Sequence, residues 1–141
     1  MKKIFLDTNI FLRVLVSDNK QAEESAVLLR KIESGRLIPY TSTIVLLETA
    51  FTLRSYYKIK NTQIIKDVEK ILKLRNLTII EKTDFRKSLE IHKKTKVKLP
   101  DCLIATQIPA NTVLVTYDRE FQKIPALLVK TPKEVLENLK N

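Results

Sequence analysis

The sequence predicts an α/β fold: a three-layer α/β/α sandwich around a central, mainly parallel sheet of roughly five strands. Three observations carry this. Short apolar runs alternate with longer stretches of helical periodicity, turn and cap residues punctuate the boundaries, and no Gly/Ser-rich linker or repeat divides the 141 residues. Strands separated by helical segments imply crossover connections and therefore parallel pairing. Residues 1–141 are expected to form a single domain.

The elements follow in order. Residues 3–6 are an apolar run suited to a buried strand, and Asp7, Thr8 and Asn9 break it with turn and cap chemistry before a helical stretch over 10–16. A second helix over 20–34 places Ala22, Ala26, Leu29 and Ile32 on one face and stops at Gly35. Residues 37–41 read as the second strand, with Pro39 weakening an edge pairing. Ser42 or Thr43 caps a helix reaching about Tyr57. Asn61 or Thr62 caps the next, in which Ile64, Ile65, Val68, Ile71 and Leu72 recur at helical spacing. Residues 77–80 and 113–116 are strand-like, separated by a helix over 83–95 and another opened by Pro100. A fifth strand is expected over 127–129, and Pro132 starts a closing helix.

Composition narrows the chemistry. Lys2 and Lys3 precede an apolar stretch, but Asp7 and Arg13 interrupt it, so a strand is expected rather than a signal peptide. No run reaches a membrane-spanning length. Cys102 is the sole cysteine, which excludes an internal disulfide scaffold and favours a reducing cytoplasm. The formal charge of +10 attracts polyanions, nucleic acid first, although a Lys-rich surface also simply maintains solubility. With one histidine, His92, paired-imidazole RNA cleavage and Cys/His zinc sites are excluded, so any catalysis must use carboxylates. His92 and Cys102 are read as packing residues, and Tyr56, Tyr57 and Tyr117 as packing residues that could alternatively stack on bases.

Four acids stand out because each is attached to an apolar element. Asp7 follows Ile4, Phe5 and Leu6; Glu48 lies between Leu47 and Ala50; Asp101 precedes Leu103 and Ile104; Asp118 follows the strand ending near Thr116 and Tyr117. Asp7 and Asp118 fall at the carboxyl edge of a parallel sheet, where such folds bind ligands. Glu48 and Asp101 fall where helices leave that edge. Taken singly, Asp7 and Asp101 also fit helix N-terminal carboxylates, and Asp118 a turn acid beside Arg119. Together, four desolvated carboxylates repel one another, and a divalent cation resolves the repulsion.

The constellation resembles the PIN domain family, metal-dependent ribonucleases that include the VapC toxins of toxin–antitoxin pairs. The resemblance rests on Phe5-Leu6-Asp7-Thr8-Asn9, Leu47-Glu48, Pro100-Asp101-Cys102-Leu103-Ile104-Ala105 and Leu114-Val115-Thr116-Tyr117-Asp118-Arg119-Glu120-Phe121. It implies Asp7, Glu48, Asp101 and Asp118 as catalytic acids, with Asp7, Asp101 and Asp118 holding Mg2+ or Mn2+, and a supporting polar residue at Thr8 or Asn9. Thr116 stands where some members carry a further acid, and Gln107 to Asn111 end the helix after Asp101 early. RNA is the implied substrate, with Lys93, Lys94, Lys96, Lys98 and Arg119 as candidate contacts. The other reading of those lysines is a solvated helix end. A cognate antitoxin and a homodimer through the third and fourth helices are also implied. A haloacid-dehalogenase-type phosphatase would need a second Asp where this chain has Asn9.

Overall fold

The computed structural model describes residues 2–140. β1, β2 and β5 each end where a polar residue starts the next helix. β1 (Lys2–Leu6) runs into Asp7, whose side chain accepts the Thr8 N–H at 2.8 Å and caps α1 (Thr8–Val16). Asn19 caps α2 (Lys20–Glu33). Gly35 follows with φ +82°, a left-handed turn in which a Cβ would come within 3.0 Å of the Arg75 guanidinium. β2 (Leu37–Ser42) ends on Ser42, which caps α3 (Thr43–Ser55). Then come α4 (Asn61–Leu72), β3 (Thr78–Ile80), α5 (Phe85–Thr95), α6 (Leu99–Thr106) and β4 (Thr112–Val115). A 3-10 turn over Arg119–Lys123 leads to β5 (Val129–Lys130) and α7 (Pro132–Leu139), which carries a capping box between Thr131 and Glu134.

The five strands form one sheet in the order β3-β2-β1-β4-β5, and every pairing is parallel. Ile4, Phe5 and Leu6 in β1 and all four residues of β4 are buried, which requires helices on both faces of the sheet. The chain moves outward from β1 to β2 and β3, then crosses back to β4 on the other side. The β1–β4 boundary is therefore the topological switch point, where a crevice opens beyond the carboxyl ends.

Several boundaries differ from expectation. The fifth strand is Val129–Lys130 rather than 127–129, because Leu128 turns outward, 57% exposed. β2 is an interior strand. Pro39 is tolerated there because it pairs with Ile4 of β1 and lies ahead of the β3 ladder, which begins at Tyr40 opposite Thr78. Lys60 occupies the cap position of α4 without a side-chain cap bond, and α5 begins at Phe85, with Asp84 accepting the Lys87 N–H.

Candidate active site

The carboxyl ends of β1 and β4 are tied together first. The Asp7 N–H donates to the Val115 carbonyl at 3.1 Å, extending the ladder one residue past β1. The Asp7 carboxylate then accepts on both oxygens: Oδ1 from the Thr8 N–H at 2.8 Å, and Oδ2 from Thr116 Oγ1 at 2.7 Å and Asn9 Nδ2 at 3.3 Å. Asp7 is thus a helix cap and more than a cap, because its second oxygen is held by residues that cap nothing. Asn9 spans the crevice, donating to Thr116 Oγ1 at 3.0 Å and accepting the Tyr117 N–H at 3.2 Å. The Asp118 N–H donates to the same Thr116 oxygen at 3.0 Å.

Glu48 comes from the second turn of α3 and accepts a very short hydrogen bond from the Thr8 hydroxyl. Asp101 comes from the first turn of α6. The loop before it is shaped by Lys96 in the left-handed region (φ 64°) and by Val97, whose carbonyl accepts from His92 Nδ1 at 2.6 Å and Cys102 Sγ at 3.4 Å. His92 and Cys102 are satisfied packing groups, as expected, and they set the position of Asp101. Asp118 caps the 3-10 turn, accepting the Glu120 N–H at 2.9 Å. Tyr117 is anchored away from the crevice: its hydroxyl donates to the Gln21 carbonyl at 3.1 Å and contacts Glu24, and burial pushes its pKa up to about 12. Tyr56 is exposed, with its ring edge-on to Tyr57.

Electrostatics mark the four acids as one cluster. Burial pushes the Asp7 carboxyl up to about 7 against its hydrogen bonds from Thr116 and Thr8, and the charges of Asp101 and Glu48 add to the rise. Burial likewise pushes Asp101 up to about 6, opposed by Lys98 and reinforced by Asp118 and Glu48. Asp101 Oδ2 is buried without a hydrogen-bond partner, and the Lys98 ammonium stands 3.7 Å away on a side chain 72% exposed. Lys98 is the one candidate cation, among the described residues, paired with a site acid. Lys93 and Lys94 lie exposed in the last turn of α5, Lys96 is exposed at its C-terminal cap, and Arg119 borders Asp118.

These donors fit a hard divalent cation. The set is all oxygen, mutually repelling and in part desolvated, and one buried oxygen lacks a partner. Among the described residues the acids do not close into a cage of three or more ready ligands.

The all-parallel sheet, with Asp7 and Thr116 joined across its switch point and the charges of Asp101 and Glu48 acting on Asp7, makes this an α/β protein with acids at the carboxyl edge of its sheet. The chain belongs to the PIN domain family, a family of nucleases, whose model matches residues 4–127. Its fold is similar to VapBC2 from Rickettsia felis, solved bound to a DNA fragment from their promoter (24% identity, TM-score 0.69, covering 92% of this chain and 98% of that one). It is also similar to PAE2754 from Pyrobaculum aerophilum (14%, TM-score 0.65, 99% and 96%) and to VapBC-1 from nontypeable Haemophilus influenzae (22%, TM-score 0.65, 93% and 98%). No curated protein matches the chain. No helix among the described residues is long and apolar enough to cross a membrane.

Thr116 is the residue whose part was least visible in the sequence. The sequence offers it as a supporting residue standing where some family members carry a further acid, but its triple role depends on β4 lying beside β1, and nothing local signals that.

Proposed function

We propose that this chain, as a single domain, is a Mg2+- or Mn2+-dependent endoribonuclease acting in the cytoplasm as the toxin of a VapBC-type toxin–antitoxin pair. The observation that carries the reading is the burial of Asp7 and Asp101 together at the β1–β4 switch point, with both carboxyls raised and one Asp101 oxygen met only by the distant Lys98 ammonium and by no hydrogen bond. Asp7, Asp101 and Asp118 would hold the ion, and Glu48, fixed by Thr8, would orient the attacking water. The ion, when bound, supplies Lewis-acid activation of water and neutralises phosphate charge. Thr116 and Asn9 keep the Asp7 carboxylate aimed, and Thr116 also fixes the Asp118 backbone. Lys98 and Arg119 flank the acids and would meet the RNA, Lys98 at the phosphodiester backbone, with Lys93, Lys94 and Lys96 extending the positive surface. Hydrolysis by water needs no 2'-hydroxyl nucleophile, and the PIN family resemblance implies that the 3'-oxygen would leave, giving 5'-phosphate and 3'-hydroxyl ends.

Partners follow from the same surface. Leu47 and Phe51, one turn apart on α3 and 70% and 67% exposed, lie with the exposed Ile65 and Leu72 of α4 on faces that would support a homodimer. A cationic side chain of a cognate antitoxin would fit the acidic pocket. The deciding experiment is end-mapping of total RNA treated with the protein, with and without EDTA, alongside co-expression with the product of the adjacent reading frame. Chelator-sensitive cleavage with growth arrest relieved by that product supports the toxin. Cleavage without arrest or partner identifies a stand-alone processing nuclease, and no cleavage a binding scaffold.

A further inference from the structure

Beyond Asp118, the ends of β4 and β5 open into a cavity of about 350 Å3 walled by Arg119, Gln122, Lys130 and Glu134, with Thr116 and Asp118 on the side it shares with the acids. The cleavage chemistry leaves Gln122, Lys130 and Glu134 without a role. We propose that this cavity holds one base of single-stranded RNA next to the bond cut and so sets a sequence preference, an inference that rests on the nuclease reading.

The lining favours a base over a phosphate. A phosphate asks for donors alone, whereas this wall mixes the Arg119 guanidinium, both ends of the Gln122 amide and the Glu134 carboxylate. Glu134 Oε1 accepts the Thr131 N–H at 3.0 Å, a bond that holds the carboxyl below its usual range, with Lys130 and Arg119 adding to the effect. The fixed negative charge repels a phosphate, while its other oxygen remains able to accept from a base N–H. Splayed bases of single-stranded RNA present such donor and acceptor edges. Among the described residues neither Arg119 nor Lys130 is engaged in an ion pair, so both are free to donate. The cavity is also preformed: buried Phe121 anchors the turn that carries Arg119 and Gln122, and the capping box fixes Glu134.

The test is fluorescence anisotropy with a labelled mixed-sequence single-stranded RNA in EDTA, comparing wild type, Arg119→Ala and Gln122→Ala, together with end-mapping of each protein's products in Mg2+. Gln122 is exposed, so Gln122→Ala should unfold at the wild-type temperature. Each variant should bind about tenfold more weakly. The wild type should show a base bias at one position flanking the cut, which Gln122→Ala flattens. Unchanged affinity in both variants, or a bias that survives Gln122→Ala, overturns the base pocket. A wild type that binds RNA through Gln122 yet never cleaves would overturn the nuclease reading and leave the pocket standing. Cleavage indifferent to both substitutions does the reverse, and no RNA binding at all overturns the pocket.

Discussion

Thr116 Oγ1 donates to Asp7 Oδ2 at 2.7 Å while accepting from Asn9 Nδ2 and the Asp118 N–H, each at 3.0 Å, so one hydroxyl joins residues 7, 9 and 118. Valine has the same shape without the oxygen. Thr116→Val is expected to destabilise the fold by about 1.5–3 kcal/mol, the range for a hydrogen bond to a charged group. It should also raise the Asp7 pKa further, moving the acid limb of the pH–rate profile to higher pH. Thr116→Ser should retain both properties, which denaturant unfolding and the rate profile would check.

Replacing Asp101 by Asn should abolish cleavage and stabilise the metal-free protein at neutral pH. Asp101 Oδ2 has no hydrogen bond to lose, and its Lys98 partner is exposed and contributes little. The carboxyl is raised from 3.8 to about 6, and after discounting for solvent at the mouth the gain should be about 1–2 kcal/mol. A variant that unfolds at lower denaturant than wild type at pH 7.5 would return Asp101 to the role of a helix-terminal carboxylate.

The pH dependence of stability has a definite sign. Asp7 and Asp101 hold protons in the folded chain up to about 7 and about 6, whereas in the unfolded chain both release them near 3.8. Between these values the folded state binds more protons, so metal-free stability should fall as pH rises from about 4 to 7 and level off above. Urea midpoints in EDTA would follow the fall. Added Mg2+ should stabilise more at pH 7.5 than at pH 5, because binding requires ionised carboxylates.

Changing Lys93, Lys94 and Lys96 together to Ala should weaken RNA binding and reduce its salt dependence, with the log–log slope falling by about 0.7 for each phosphate left unneutralised. Divalent affinity should stay near wild type, since these lysines are exposed and, among the described residues, only Lys98 pairs with a site acid. Binding titrations at several salt concentrations decide it, and an unchanged slope would leave the three lysines to solubility.

The alternation of strands and helices was legible because the local signals agree: Asp7, Asn19, Ser42, Asp84, Asp118 and Thr131 each stand just after an apolar run or just before a helical one, and each caps the element that follows. Where hydrophobicity and exposure part company, reading fails, as at Leu128, an apolar residue pointing into solvent. The four acids stood out because a charge on an apolar element needs a reason. Thr8, Asn9 and Thr116 could be named as supports only through the family resemblance, and their pairings were not legible, since the Thr8–Glu48 and Asn9–Thr116 bonds join residues 40 and 107 positions apart. Gln122, Lys130 and Glu134 look like ordinary surface residues until the sheet brings them around one cavity.

The central place of β1 has a consequence for synthesis. Asp7 leaves the ribosome more than a hundred residues before its partners, for the carbonyl that receives its N–H belongs to Val115 and the hydroxyl that orients its carboxylate to Thr116. Until β4 has emerged, β1 can pair only with β2, and the first acid lacks the hydroxyl that holds its second oxygen. A nascent chain so arranged brings Asp7 and Asp118 together in one step, and only after both sides of the β1–β4 pairing are out.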